Sequence, residues 1–201
     1  IIIVNDGSMD HTGDIANELA QVHDFIRVVH NKVPKGMGHC YRTGLDLARS
    51  PLITFVPANN LVETDAIKRM FDAANKADMI LLYINNPERR SSFRRFVSSS
   101  YVIILNMIFN LRIRYYNGPT LLKTDDVKQV SIPTNGHTYM SAILVQLLKK
   151  GRSFYEIGMR LGPRAYGKSY CFSFRNIASS LKTMLFLLIK GSVTNTTPRD
   201  S

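Results

Sequence analysis

IIIVNDGSMDHT, residues 1–12, decides how the rest of the chain is read. Four β-branched residues run straight into Asn5-Asp6-Gly7-Ser8, which reads as a strand ending in a turn. From Thr12 to about Val22, Ile15, Leu19 and Val22 recur at helical spacing, so a helix follows the turn. A strand–turn–helix junction puts Asp6 at the carboxyl edge of a sheet, where its carboxylate can accept hydrogen bonds from a base or a ribose. Gly7 permits the tight turn, Ser8 completes it, and the next helix turns its N-terminus towards whatever phosphate sits there. The same four residues would also serve as an ordinary Asx-type turn that caps a helix.

The alternation continues outward from this junction. FIRVV (25–29) is strand-like, KVPKGMG is a loop, and His39 to Arg49 reads as a helix. LITFV (52–56) is a strand, Glu63 to Lys76 a helix with Ile67, Met70 and Phe71 on one face, and MILLYI (79–84) a strand. Strands separated by helices of about ten residues imply βαβ units and a mostly parallel sheet. The loop carries Lys35, Gly36 and Gly38 ahead of a helix containing Arg42. Two glycines at a helix start allow close backbone approach to a ligand, and the two cations suit phosphate or a base. The six-residue dinucleotide fingerprint and the P-loop Gly-Lys-Ser/Thr are both absent.

After residue 86 the pattern changes. Residues 96–111 form a long apolar helix with Arg89, Arg90, Arg94 and Arg95 before it and Arg112 and Arg114 after it. GPTLLK (118–123) reads as a short strand, His137 to Lys150 as a helix, SFYEIGMRL (153–161) as a strand and Phe174 to Lys190 as a last helix. Residues 192–201 form a polar tail expected to be disordered. One domain over 1–191 accounts for these elements, with a first half over 1–86 and a second over 87–191.

Composition narrows the partners. The chain has 201 residues, 45 % of them hydrophobic, and 26 Lys+Arg against 15 Asp+Glu give a net charge of +11. That excess favours an anionic partner; nucleic acid is not expected, because no aromatic-and-basic binding motif accompanies the charge. Two cysteines exclude a disulfide framework and a zinc site and fit a reducing compartment. The apolar stretches near 101–111 and 181–189 are shorter than the roughly 20 residues of a spanning helix. Arginine flanks suit helices lying in the interface of an anionic membrane. The strand at Ile1 has no lead-in, which implies further chain upstream.

Taken in order, a strand ending in DGSxD, a G-x-G helix start and a strand ending in a short polar motif resemble the family 2 glycosyltransferases of GT-A fold. The second half resembles dolichol-phosphate mannosyltransferases and related polyprenyl-phosphate sugar transferases. That likeness rests on the Arg/Ser-rich stretch before the apolar helix, on YYNGPTLLKT (115–124) and on Arg164-x-x-Gly167-Lys168-Ser169. The resemblance implies a GT-A, Rossmann-like α/β fold lacking the family's first strand. It implies a nucleotide-diphosphate sugar donor whose nucleotide contacts Asp6, with Arg42 nearby. Arg164 and Lys168 are implied around the phosphate of a polyprenyl acceptor, at the cytoplasmic face of a membrane.

Two departures accompany the resemblance. The family usually ends its metal-binding strand with Asp-x-Asp holding Mg2+ or Mn2+ on the donor diphosphate; here Pro57-Ala58-Asn59 stands there. An amide supplies no charge to a hard cation, so Asn59 is expected to sit beside the diphosphate and to hold metal weakly. Near the start of the 137–150 helix, where many members carry an acidic residue, the chain has His137, Tyr139 and Ser141. A hydroxyl acceptor needs a base, whereas a phosphate acceptor is already anionic. Transfer to a polyprenyl phosphate is therefore the expected activity, against a soluble transferase acting on a saccharide hydroxyl or a non-catalytic binding relative.

Overall fold

The computed structural model describes residues 1–162 and 174–191. β1 (Ile2–Asn5) and β2 (Arg27–His30) pair in parallel, Ile2 opposite Arg27, with α1 (Thr12–Val22) between them in sequence. α2 (Met37–Leu47) leads to β3 (Leu52–Ile53), and α3 (Thr64–Asp72) to β4 (Met79–Ile84). α4 (Ser92–Phe109), β5 (Thr120–Lys123), α5 (Thr124–Lys128), α6 (Tyr139–Lys149), β6 (Phe154–Met159) and α7 (Phe174–Gly191) complete the order.

The class is α/β, as the alternation implies, but the sheets are mixed rather than mostly parallel. The second sheet runs β3-β5-β4-β6, with β6 parallel to β4 and β5 antiparallel to both neighbours. β5 enters between β3 and β4 from the edge at which β4 ends, so it must run backwards. The β1–β2 pair forms a separate sheet. β1 and β3 face each other across a cavity of about 690 Å3, lined by Ile2, Ile3 and Val4 on one side and Thr54, Phe55 and Val56 on the other.

That gap explains the largest boundary difference. LITFV is β-prone throughout, yet only Leu52 and Ile53 form ladder pairs, with Lys123 and Leu122; Thr54 to Val56 flank the cavity instead. MILLYI is a strand over its whole predicted length. FIRVV begins as strand at Arg27, GPTLLK at Thr120, and the short α5 carries no period long enough to predict it. α4 starts four residues before its apolar run, where the Ser91 side chain accepts a hydrogen bond from the Arg94 N–H at 3.4 Å, an N-cap.

β4 positions the core. Its residues alternate between two apolar layers: Met79 and Leu81 pack with Leu105, Tyr116, Leu122, Ile143 and Leu144, while Ile80 and Leu82 pack with Ala66, Met70, Leu121 and Met159. Each such side chain contributes about 1.5–3 kcal/mol by leaving water. Burial on both sheet faces is why this strand reads as a continuous apolar run. Not every apolar residue is covered: α4 exposes Phe93, Phe96, Ile103 and Met107, and α7 exposes Leu181, Leu185 and Ile189. Among the described residues no helix is long and apolar enough to cross a membrane. The 192–201 tail lies outside the described residues.

Candidate functional site

β1 delivers Asp6 to the carboxyl edge, and the 31–36 segment closes around it. Oδ1 accepts from Asn31 Nδ2 and from the Lys35 N–H, both at 2.8 Å, and Oδ2 accepts from the Gly36 N–H at 2.8 Å. Partial burial pushes the carboxyl pKa up, but these three donors outweigh it and hold the group below the usual aspartate value. A carboxylate has about four acceptor positions, and a hydrogen bond from the Cys40 thiol joins these three. Ser8 donates its N–H to Asn5 Oδ1 at 3.1 Å and is itself exposed; Gly7 turns with φ +72°.

The Gly36-x-Gly38 loop is pressed against residues 134–135. Gly36 has φ +96°, a conformation L side chains rarely adopt, and a Cβ on Gly38 would run into the Thr134 carbonyl. The Gly38 N–H donates to the Asn135 carbonyl at 2.9 Å. Arg42 is spent on the same segment. Its Nη1 donates to the carbonyls of Ile132 and Thr134 at 3.0 and 3.2 Å, and its Nη2 to Asn135 Oδ1. The structure therefore places Arg42 as a brace between α2 and the segment that precedes α6, and it is not among the residues lining the cavity. The Lys35 side chain is exposed beside the loop, and α2 begins with no side-chain cap on its first N–H groups.

Asn59 lies on the opposite wall. Asp6, Met37, Cys40, Tyr41, Phe55 and Asn59 all line the one cavity between the sheets. Asn59 Oδ1 accepts the Leu61 N–H at 3.3 Å, Asn60 follows with φ +50°, and both side chains are exposed. The nearby Asp65 is committed to Arg69 Nε at 2.8 Å. Among the described residues no three His, Cys, Asp or Glu side chains converge on a metal position. A single exposed amide already engaged in its own turn does not fit a protein-held divalent cation, which wants several charged oxygens.

The α6 end of the site is aromatic. The Tyr139 ring lies tilted 5.0 Å from Tyr41 and edge-on 5.9 Å from Phe55, centroid to centroid. Cys40 is buried beside Asp6, and burial first, then the Asp6 charge, pushes its thiol up to about 12. His137 is half-buried; burial, with the Arg94 charge adding to it, lowers its pKa, so the imidazole is neutral near pH 7.

The structure thus brings Asp6, Gly36, Gly38 and Asn59 to one region, and diverts Arg42. Arg164 and Lys168 lie outside the described residues. Sequence reasoning missed Asn31, which anchors Asp6 from 25 residues away, and the Thr134–Asn135 wall. Neither belongs to a short motif; each acts through a long-range contact.

Comparison with known proteins bears on this arrangement. The family model described as glycosyl transferase family 2 matches residues 1–140. EpsH of Bacillus subtilis is 34 % identical over 82 residues, 40 % of this chain and 24 % of that protein. Poly-beta-1,6-N-acetyl-D-glucosamine synthase of Staphylococcus epidermidis is 30 % identical over 91 residues, 45 % of this chain and 22 % of that protein. The matched segments thus span about a quarter of these curated relatives' lengths. Glucosyl-3-phosphoglycerate synthase of Mycobacterium tuberculosis, solved with Mn2+, UDP-glucose and phosphoglyceric acid, shares the fold with a TM-score of 0.67 at 12 % identity, covering 97 % of this chain and 69 % of that one.

Proposed function

This chain belongs to glycosyl transferase family 2, and on that premise we propose that it transfers a sugar from a nucleotide-diphosphate donor to a polyprenyl phosphate at a membrane surface. The donor would occupy the cavity between the two sheets. The reading is supported chiefly by one observation: Asp6, directly after β1, and Asn59, in the turn that follows β3 in the other sheet, are more than fifty positions apart and line the same cavity.

In this reading a donor from the base or ribose takes over the acceptor position on Asp6 that the weakly donating Cys40 thiol occupies. Lys35, beside the start of α2, faces the diphosphate, where its cation offsets the negative charge that grows on the leaving group. An oxygen of the acceptor phosphate attacks the anomeric carbon. The bond from that carbon to the diphosphate breaks, the nucleoside diphosphate leaves with the electron pair, and configuration inverts. The nucleophile carries no proton to remove, which fits a site whose α6 start offers a neutral His137 and no carboxylate. Rate enhancement then comes from positioning and electrostatics. Mg2+ or Mn2+ would be a companion of the donor diphosphate rather than an ion the protein holds. Residues 1–86 form the donor half and 87–191 the acceptor half; the assignment of Arg164 and Lys168 to the acceptor phosphate rests on sequence alone. The exposed apolar residues of α4 and α7, with arginines around α4, support docking on the cytoplasmic face of an anionic membrane.

The test is transfer itself. The protein is incubated with several labelled nucleotide sugars, a short polyprenyl phosphate and either Mg2+ or Mn2+, and the lipid phase is extracted. Label in lipid is expected. Nucleotide binding without transfer from any donor would replace this reading with that of a non-catalytic binder. Transfer to a saccharide hydroxyl in the absence of lipid would replace it with that of a soluble transferase.

A further inference from the structure

Residues 134–138 and α7 meet along a seam of hydroxyl groups. Thr134 Oγ1 and Ser179 Oγ share one hydrogen bond, and Thr138 Oγ1 and Thr183 Oγ1 share another at 2.9 Å. Both pairs are 45 residues apart in sequence, so the segment and the helix run side by side in the same direction. The two α7 hydroxyls are one helical turn apart. Thr183 Oγ1 donates its proton to the Ser179 carbonyl at 2.9 Å, which makes Thr138 the donor in the second pair. Thr138 therefore stands at the N-cap position of α6 without capping it. In the first pair, Thr134 Oγ1 also accepts the Gly136 N–H at 3.0 Å. Thr134, Thr138 and Thr183 are buried, and a Cβ on Gly136 would run into Ser179 Oγ.

Apolar contact between helices is non-directional and tolerates sliding. A buried hydroxyl pair does not, because a shift in register leaves both members without a partner. The first pair bears on the donor side of the molecule. Thr134 and Asn135 are the wall on which the Gly36-x-Gly38 loop rests: the Gly38 N–H donates to the Asn135 carbonyl at 2.9 Å, and a Cβ on Gly36 would meet that same carbonyl. The Lys35 and Gly36 N–H groups in turn hold Asp6. Contact is thus continuous from Ser179 through the wall and the loop to the strand-end carboxylate. Arg42 supports the wall from the other side through the Ile132 and Thr134 carbonyls and the Asn135 side chain, and leaves the Thr134 hydroxyl to Ser179. The second pair joins α7 to the start of α6, one turn away from the wall.

We propose that Ser179 is a positioning residue for the donor: it fixes Thr134 and, through the 134–135 wall, holds the Gly36-x-Gly38 loop closed on Asp6. Thr183, one turn on, fastens α7 to α6 and takes no part in donor binding. The proposal rests on the reading that the donor meets Asp6, and it makes the affinity of that site depend on the seating of α7, the last helix of the fold.

Two readouts keep failure of this proposal apart from failure of the donor reading. Amide hydrogen exchange reports on the loop without any ligand. The Gly36 and Gly38 N–H groups should exchange several-fold faster in Ser179→Ala and at the wild-type rate in Thr183→Val. Titration calorimetry with uridine diphosphate and guanosine diphosphate as probes reports on the site. Ser179→Ala should weaken binding roughly fivefold, the size of one hydrogen bond, whereas Thr183→Val should lower the melting temperature and leave affinity unchanged. The double variant of Ser179→Ala with Thr134→Val should bind no more weakly than Thr134→Val alone, because the two substitutions remove the same contact. Wild-type exchange at both glycines in Ser179→Ala would overturn the proposal. So would losses of affinity in Ser179→Ala and Thr183→Val that simply follow their melting temperatures. If neither nucleotide binds the wild-type protein, the donor reading fails and the exchange rates still decide the role of Ser179.

Discussion

At the end of β1, Asp6 accepts three hydrogen bonds at 2.8 Å from a segment 25 to 30 residues away. In the turn beyond β3, Asn59 accepts one, at 3.3 Å, from a residue two positions on. Both line the same cavity, yet only the first is tied into the fold. Asp6 organises Asn31, Lys35 and Gly36; the Gly-x-Gly backbone in turn lies against Thr134 and Asn135, which Arg42 braces. The 57–60 turn holds only itself. A carboxylate that shapes a loop cannot be exchanged without unmaking the loop, whereas one whose task is a bound cation can be lost without structural cost. That asymmetry accounts for a chain that has Asp6 and has Pro57-Ala58-Asn59 where a metal-binding pair is expected.

The contrast is most exposed to Asp6→Ala. Removing the acceptor of three hydrogen bonds and leaving their donors unpaired should cost on the order of 3 kcal/mol, read from denaturant midpoints, and nucleotide binding should be lost. A change under about 0.5 kcal/mol would mean the loop stands without its carboxylate. Asp6→Asn should cost less and should speed modification of Cys40 in a Cys171→Ser background, because the Asp6 charge is part of what holds that thiol up near 12. The pH dependence has a definite sign. The folded-state pKa of Asp6 is depressed, so its contribution is complete above the ordinary aspartate value of about 3.9 and is lost as pH falls through the folded-state value. A wild-type melt should therefore lose an increment on acidification that Asp6→Asn lacks.

Next comes Gly38→Ala. The added methyl meets backbone of the Thr134 wall, and overpacking against main chain should cost about 2 kcal/mol. If the melt is unaffected, the wall moves freely and Arg42 is no brace. The smallest structural effect belongs to Asn59→Asp. Stability should stay within about 0.5 kcal/mol, while Mg2+ or Mn2+ affinity in the presence of nucleotide diphosphate rises severalfold by calorimetry. A large loss of stability would show that the β3 turn carries structural duties; unchanged metal affinity would take Asn59 away from the diphosphate.

Much of the fold was legible because its signals are local. The β-branched run before Asn5, the period of α1 and the unbroken MILLYI each declare themselves within a few residues. LITFV did not, since β-propensity states only that a segment would join a sheet if an edge is available, and beyond Ile53 none is. The reversed direction of β5 was equally invisible: parallel and antiparallel neighbours are distinguished by the path between strands, which periodicity does not encode. In the site, Asp6, Gly36 and Gly38 could be read from motif and spacing. Arg42 could not, because its basic side chain is compatible with a ligand phosphate or with backbone carbonyls, and only contact decides. Thr134 and Ser179, 45 residues apart, carry no shared pattern.

The sequence alone determined the α/β alternation, the strand-end carboxylate, the excess of positive charge and the missing Asp-x-Asp, since each is a property of residue type and near spacing. The tertiary structure decided which cations face a cavity and which brace the chain, how the sheet divides, and that Asp6 is spent largely on its own loop. Those outcomes depend on contacts across tens of residues, where burial and hydrogen-bond geometry, rather than residue identity, set what a side chain does.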